Sequence, residues 1–328
     1  MPFIIFSAMN HFQLISRPLG SVERFVIHHE SNAELEILAG WGAGLNAWRI
    51  PTQGKMQELL YGYQTEENFL KTQADTSAGE RLSPFPGRTN NAQWTWNGNT
   101  YQLDNNVTWA KHAVHGLLHV QPWHFESFES NSKQASLTLS YFWNGAHPGF
   151  PFPYMAKSTF IFTGKSFEIR SETENFGKNT MPYAEGWHPY FMLGTKVDNL
   201  DLQLPPVHKV LVNESDIPTG ERQIDERFTQ MAKINDTFIN DCEELQNPTP
   251  IISADLWNIQ TTERIRFWQR TGNKAFNFMQ IYTPPDRQSL ALEPMTNEPD
   301  VLNNHRGLIL LKPGEKLNLN WGASYNIE

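Results

Sequence analysis

The sequence has 328 residues and a single cysteine, Cys242. One thiol cannot form a disulfide within the chain, and zinc sites built on paired cysteines are excluded. A reducing compartment is the simpler assumption. Cations are also scarce, with 26 Lys and Arg against 35 Asp and Glu and a formal net charge of −9. That balance argues against nucleic acid as a partner, because neutralising phosphates needs clustered Lys and Arg. Long apolar runs are missing. The N-terminal "MPFIIFSAMNHF" is too short to span a bilayer and lacks the basic leader of a secretory signal. It reads as the first strand of a soluble, cytoplasmic protein with no membrane partner. There is no Gly-x-Ser-x-Gly, and no glycine-rich loop follows a strand, so neither a serine triad nor a phosphate cradle is supported. Cys242 lies in "NDCEEL", whose acidic neighbours oppose a thiolate. Amphipathic helical periodicity is nearly absent too. "DERFTQMAKI" is the one stretch that predicts a short helix.

Alternation of apolar and polar residues is what fills the chain. "ASLTLSYFW" puts Ala135, Leu137, Leu139, Tyr141 and Trp143 on one face and Ser136, Thr138 and Ser140 on the other. "SFEIRSETEN" and "KLNLNW" alternate in the same way. A period of two marks half-buried antiparallel strands. "WTWNGNTYQL" predicts a hairpin, with Asn97-Gly98 as the turn pair. Gly and Pro, 21 each, are spread as turn punctuation and form no linker. The reading is one long all-β domain over residues 1–328, with two stacked sheets larger than an immunoglobulin sandwich. Aromatic content is 12%, with 11 Trp. Tryptophan packs cores, and it is also a platform for the apolar face of a sugar ring.

Four places combine a strand end with a reactive side chain. "SPFPGRTNNAQW" offers Arg88 after a tight turn. "KHAVHGLLHVQPW" offers His112, His115 and His119. "EGWHPYFMLG" offers His188, and "LALEPMTNEPDVLN" offers Glu293 after a short apolar run, with Pro294 expected to stop the ladder. Taken singly, each has an ordinary reading: a surface guanidinium, a core histidine, a charged strand end. The three histidines near 115 are not spaced as a metal-binding helix, and Gly116 and Pro122 break any helix there. Together these side chains suit a neutral polyol on which protons are moved.

These segments, in this order, resemble the aldose 1-epimerase (galactose mutarotase) family. "PFPGRTNNAQWTWNGNTYQL" is similar to the family's arginine-bearing segment, and "AVHGLL" to its Leu-His-Gly motif. "WHPYFML" resembles its Asn-His-x-Tyr-Phe-Asn-Leu. "LALEPMTNEPDVLN" followed by "GLILLKPGE" resembles its C-terminal signature. The likeness runs from about Gly40 to the C-terminus. It implies a large antiparallel β-supersandwich and an enzyme that opens and recloses an aldose ring with no cofactor and no metal. It implies Glu293 as catalytic base, His188 as acid, His115 as a second active-site histidine and Arg88 as a sugar-binding residue. Glu293 would then be ionised at neutral pH, and His188 protonated. The family's substrate-binding aspartate falls near "INDTF", where Asn235 takes the first acidic position and Asp236 the second. Gly87 stands where the family usually has Asn. These departures bear on which small-molecule sugar is the partner. The alternatives are a hexose-6-phosphate mutarotase and a non-catalytic carbohydrate-binding module of the same fold.

Overall fold

The computed structural model describes residues 3–7, 11–52 and 54–327. Its element order is strand after strand, with α-helices at Glu66–Thr76 and Val301–Asn304. The alternating segments form strands where expected: Ala135–Trp143, Ser166–Asn175 and Lys316–Ile327. The predicted hairpin pairs Gln93–Trp96 with Asn99–Gln102, and Asn97 and Gly98 both take positive φ, 49° and 77°. Two left-handed residues give a turn whose twist matches the flanking strands. The N-terminal strand is present over Phe3–Ser7, and residues 8–10 lie outside the described residues.

Three large sheets carry the architecture. A six-stranded antiparallel meander covers Phe3–Ser7 to Lys55–Glu58. A nine-stranded sheet is built round Ala135–Trp143, Tyr154–Phe162, Ser166–Asn175, Lys316–Ile327 and Glu263–Arg270. A second nine-stranded sheet contains Asn240–Leu245, Phe278–Tyr282 and Leu290–Met295 as neighbours. The first nine-stranded sheet is the common base. Trp48 of the meander meets Phe167 edge to face at 5.1 Å, and Trp187 of the second sheet meets Trp321 at 5.8 Å. The Trp187 indole N–H also donates to Ser171 Oγ across the layers, at 3.2 Å. One apolar core, from Phe12 through Trp48 and Trp187 to Trp321, reaches all three sheets. No helix among the described residues is long and apolar enough to cross a membrane.

Two expectations about local structure are corrected. "DERFTQMAKI" is not helical: Asp225 ends a strand, turns follow, and Ala232–Lys233 pairs with Asp201–Gln203. The Arg227 guanidinium turns back onto Asp225 at 2.9 Å, and Leu204 N–H donates to the Phe228 carbonyl. Tertiary bonds here override a weak local preference. Pro294 does not stop the ladder either. The strand runs Leu290–Met295, with Pro294 opposite Met279. The neighbouring strand on the other side is interrupted between Gly186–Trp187 and Tyr190–Phe191, so a missing donor is tolerated there.

Candidate active site

Cross-strand register builds the floor of the site. Asn240 lies opposite Tyr282, and Cys242 opposite Gln280, which lies opposite Glu293. Directly opposed residues share a face. Asn240, Gln280, Tyr282, Glu293 and Met295 therefore project from one side of the second nine-stranded sheet, and they line one cleft of about 600 Å³. The Gln280 amide donates to Asn240 Oδ1 at 3.0 Å, which links two of these polar groups. Cys242, two strands from Glu293, is buried, and burial pushes its thiol well up.

His188 enters the same cleft from the break in the neighbouring strand. Pro189 follows it, and the residue before a proline is kept extended. Its backbone N–H donates to the Glu80 carbonyl, and its own carbonyl accepts from Gly79. The ring stacks on Tyr190 at 4.8 Å, and the Tyr190 hydroxyl donates to the Thr76 carbonyl at 3.1 Å. His188 Nε2 lies 3.4 Å from Glu293 Oε1. Both residues are buried, at 7% and 2% exposure, and His188 Nδ1 has no partner within the chain.

His115 and Arg88 come from a short pair of strands, Ala113–Val114 against Arg88–Thr89. His115 has φ +63° and its ring meets His188 edge to face at 5.3 Å. His115 Nδ1 accepts from Gly87 N–H at 3.3 Å, so the neutral ring carries its proton on Nε2. Gly116 permits this bend. It has φ +80°, and a Cβ there would sit 2.2 Å from the Ser83 carbonyl oxygen. Gly87 also has φ +69°, a region asparagine tolerates. Glycine in place of the family's Asn keeps the backbone and removes a side chain. Arg88 donates to Asp216 Oδ2 at 2.9 Å and lies over the Trp109 ring at 5.3 Å, while its buried Nε has no partner within the chain.

Burial dominates the electrostatics. It pushes Glu293 well above the usual carboxylate range, and the Arg88 guanidinium pulls it partly back. It lowers His188 to about 4. His115 is held well below its ordinary value by burial, with His188, His119 and Arg88 adding repulsion. The expected carboxylate and imidazolium are therefore not the forms that burial favours. A neutral carboxyl beside a neutral imidazole is, and one proton moving from Glu293 to His188 converts it to the ionised pair.

The sequence matches the family model described as aldose 1-epimerase over residues 23–323. The chain belongs to the aldose 1-epimerase family. Among curated proteins it is 32% identical over 248 residues to the uncharacterised protein YihR of Escherichia coli (strain K12), covering 72% of this chain and 75% of that one. Its fold is that of a galactose mutarotase-like protein from Clostridium acetobutylicum, with a TM-score of 0.83 at 14% identity over 97% of this chain and 98% of the other. It also matches the galactose 1-epimerase of Lactobacillus acidophilus, with a TM-score of 0.77 at 14% identity over 99% and 98%.

In this epimerase-family chain the cleft brings together Glu293, His188, His115 and Arg88. Asp236 does not join them. It lies in an exposed turn after Asn235, whose φ is +53°, and outside the cleft lining. Asn240, four residues on, is the one that reaches the cleft. His112 and His119 stay behind the site as buried rings. His112 Nδ1 accepts from Asn91 N–H, and burial lowers His119 to about 4. Sequence reasoning missed Trp109, Tyr190, Asp216, Asn240, Gln280 and Tyr282. Tyr190, two residues from His188, carried a signal; the others lie in no motif, and Asp75 arrives on a helix that was not foreseen. Among the described residues one acidic trio has metal-ligand spacing, Asp225, Asp241 and Glu243. Arg227 at 2.6 Å and Lys209 at 2.5 Å already neutralise Asp241, so the trio reads as an ion-pair cluster.

Proposed function

We propose that this chain interconverts the α and β anomers of a neutral aldose. The observation that carries the reading is the His188–Glu293 pair, two buried groups 3.4 Å apart that can hold one proton between them at the floor of a cleft lined by both polar and apolar side chains. Ring opening needs a proton taken from the C1 hydroxyl and another given to the ring oxygen, with cleavage of C1–O5 and formation of the aldehyde. Glu293 as carboxylate takes the first, and His188 as imidazolium gives the second. The ionised pair is reached by one proton crossing from Glu293 to His188, helped by Arg88 and by hydrogen bonds from sugar hydroxyls. His115, neutral with its proton on Nε2, donates toward the ring and orients it. Arg88 presents its fork of donors to hydroxyl oxygens. Rotation about C1–C2 then lets the same groups run in reverse, and the proton count closes with no cofactor.

A neutral sugar suits the cleft better than a phosphorylated one. Among the described residues that line it, Arg88 is the one Lys or Arg, and Asp75, Asp216 and Glu293 oppose it. The test is polarimetry of freshly dissolved glucose, galactose and glucose 6-phosphate. Equilibration above the spontaneous rate for a neutral aldose is expected. A rate no higher than background for every aldose, at high enzyme concentration, rejects the reading.

A further inference from the structure

Three cavities meet at Trp109. The cleft with the His188–Glu293 pair measures about 600 Å³. A second, of about 190 Å³, lies beside His115 and His119. A third, of about 470 Å³, is lined by Asn90, Asn91, Lys111 and the turn around Ser215. Among the described residues, Trp109 alone lines all three. Asp216 lines both the cleft and the third cavity, and its bond to Arg88 marks the boundary between them.

Core packing does not account for Trp109. Its side chain is 53% exposed, although tryptophan is highly buried on average. It lines three cavities, of which the third is mainly polar, with the Arg88 guanidinium over its ring. An exposed indole beside hydrogen-bonding groups is the composition of a sugar platform: an apolar face for C–H groups and a polar surround for hydroxyls. The third cavity supplies that surround. Asn90 and Asn91 line it, and among the described hydrogen bonds neither side-chain amide is engaged; their backbone N–H groups donate to Asp300 and His112.

Size and geometry give the ligand class. A hexopyranose has roughly twelve heavy atoms, which at about 30 Å³ each, the share of one water, occupy at most about 360 Å³. The cleft exceeds that before the third cavity is counted. When C1 and the ring oxygen of a pyranose face the floor, its O4 points away toward the mouth. Trp109, exposed and common to the cleft and the third cavity, is the aromatic residue placed between the two.

We propose that the third cavity is a subsite for a second sugar ring, glycosidically linked to the ring whose anomeric carbon meets His188 and Glu293, with Trp109 as its platform. The subsite rests on the mutarotase reading of the cleft. It makes a short oligosaccharide with a free reducing end a better ligand than the monosaccharide at that end.

Calorimetric titration with glucose, maltose and cellobiose tests this, because both disaccharides carry a glucose reducing ring substituted at O4. At least one disaccharide should bind about three- to tenfold more tightly than glucose, the range expected for one aromatic stacking contact. Trp109→Ala should abolish that preference. Ser215→Trp, which fills the third cavity from an exposed turn, should abolish it while leaving glucose affinity unchanged. If neither disaccharide binds more tightly than glucose, or the preference survives either substitution, the subsite is refuted. Anomerisation rates on the same samples keep the two readings apart. Turnover of glucose without a disaccharide preference removes the subsite alone. A disaccharide preference lost in both variants, but with no turnover of any sugar, removes the mutarotase reading alone.

Discussion

Two buried pairs of a basic side chain and a carboxylate lie almost back to back in this protein. Trp187 pairs in register with Arg81, and the next residue is His188. Arg81 and Glu185 are both fully buried, 2.7 Å apart. Arg81 also donates to the Lys157 carbonyl at 2.8 Å, to Ser158 Oγ at 3.1 Å and to Thr173 Oγ1 at 2.9 Å, and Glu185 accepts from the Tyr183 hydroxyl at 2.6 Å. His188 and Glu293 are further apart and line a cavity. The first pair joins two sheets through a guanidinium that stays charged at any accessible pH. The second is built from groups that exchange protons, in a place where the fold supplies few other bonds. Burial is common to both. What separates scaffold from chemistry is the number of fixed hydrogen bonds and the ability to titrate.

Breaking each pair should therefore give opposite phenotypes. Glu293→Gln keeps shape and removes the basic oxygen. Anomerisation should fall by about a hundred- to ten-thousand-fold, with no lowering of the unfolding midpoint in urea. If the rate stays near the parent's, the pair is not the acid–base machinery. Arg81→Met should do the reverse. It strands the Glu185 charge in the core, and losing one partner of a buried pair typically costs about 3–5 kcal/mol. A urea titration that moved by under about 1 kcal/mol would show that Arg81 is not holding the sheets together.

The scaffold was more legible in the sequence than the site. Period-two alternation is local, so strands such as Ala135–Trp143 could be read from their own residues. The Glu66–Thr76 helix was missed although its start was marked: Thr65 Oγ1 accepts from the Asn68 N–H at 3.1 Å, and Glu66 and Glu67 follow in the first turn. Convergence is not local. Gln280 and Asn240 reach the cleft because three strands align in one register, and neither sits in a motif. The types of the residues proposed to move protons were visible. Their favoured protonation states were not, because desolvation depends on the finished fold.

pH sharpens the contrast through His188. The folded ring titrates at about 4 against an ordinary value of 6.5. Between those values the unfolded chain binds a proton that the native protein does not. Stability from this group is complete above pH 6.5 and is lost as the pH falls to about 4. Glu293 acts oppositely: its raised value favours the native state at low pH and withdraws that stability as the pH rises above 4.5. Replacing His188 with Asn should flatten the acid side of the stability profile by up to about 1.4 kcal/mol per pH unit. Equal slopes for parent and variant between pH 6.5 and 4 in urea titrations would mean that the ring is not desolvated.

The smallest effect is expected at Asp236, and it is informative because it is small. The family pattern puts a sugar-binding carboxylate at this part of the chain, yet Asp236 is exposed in a turn while Asn240 lines the cleft. The turn is fixed by other groups: Arg287 donates to the Asn235 carbonyl at 2.6 Å and to the Thr237 carbonyl at 3.2 Å. Removing the Asp236 side chain therefore breaks no described bond. Asp236→Ala should change stability by less than about 0.5 kcal/mol, the usual range for an exposed site. Its KM should stay within about twofold of the parent's. Asn240→Ala deletes an acceptor of the Gln280 amide and a polar group lining the cleft, worth about 0.5–1.5 kcal/mol, so KM should rise by about two- to tenfold with kcat changed less. Steady-state anomerisation kinetics on the two variants decide between them. A KM raised at Asp236 and unchanged at Asn240 would place the sugar's polar contact on the turn and shift the binding face away from the sheet.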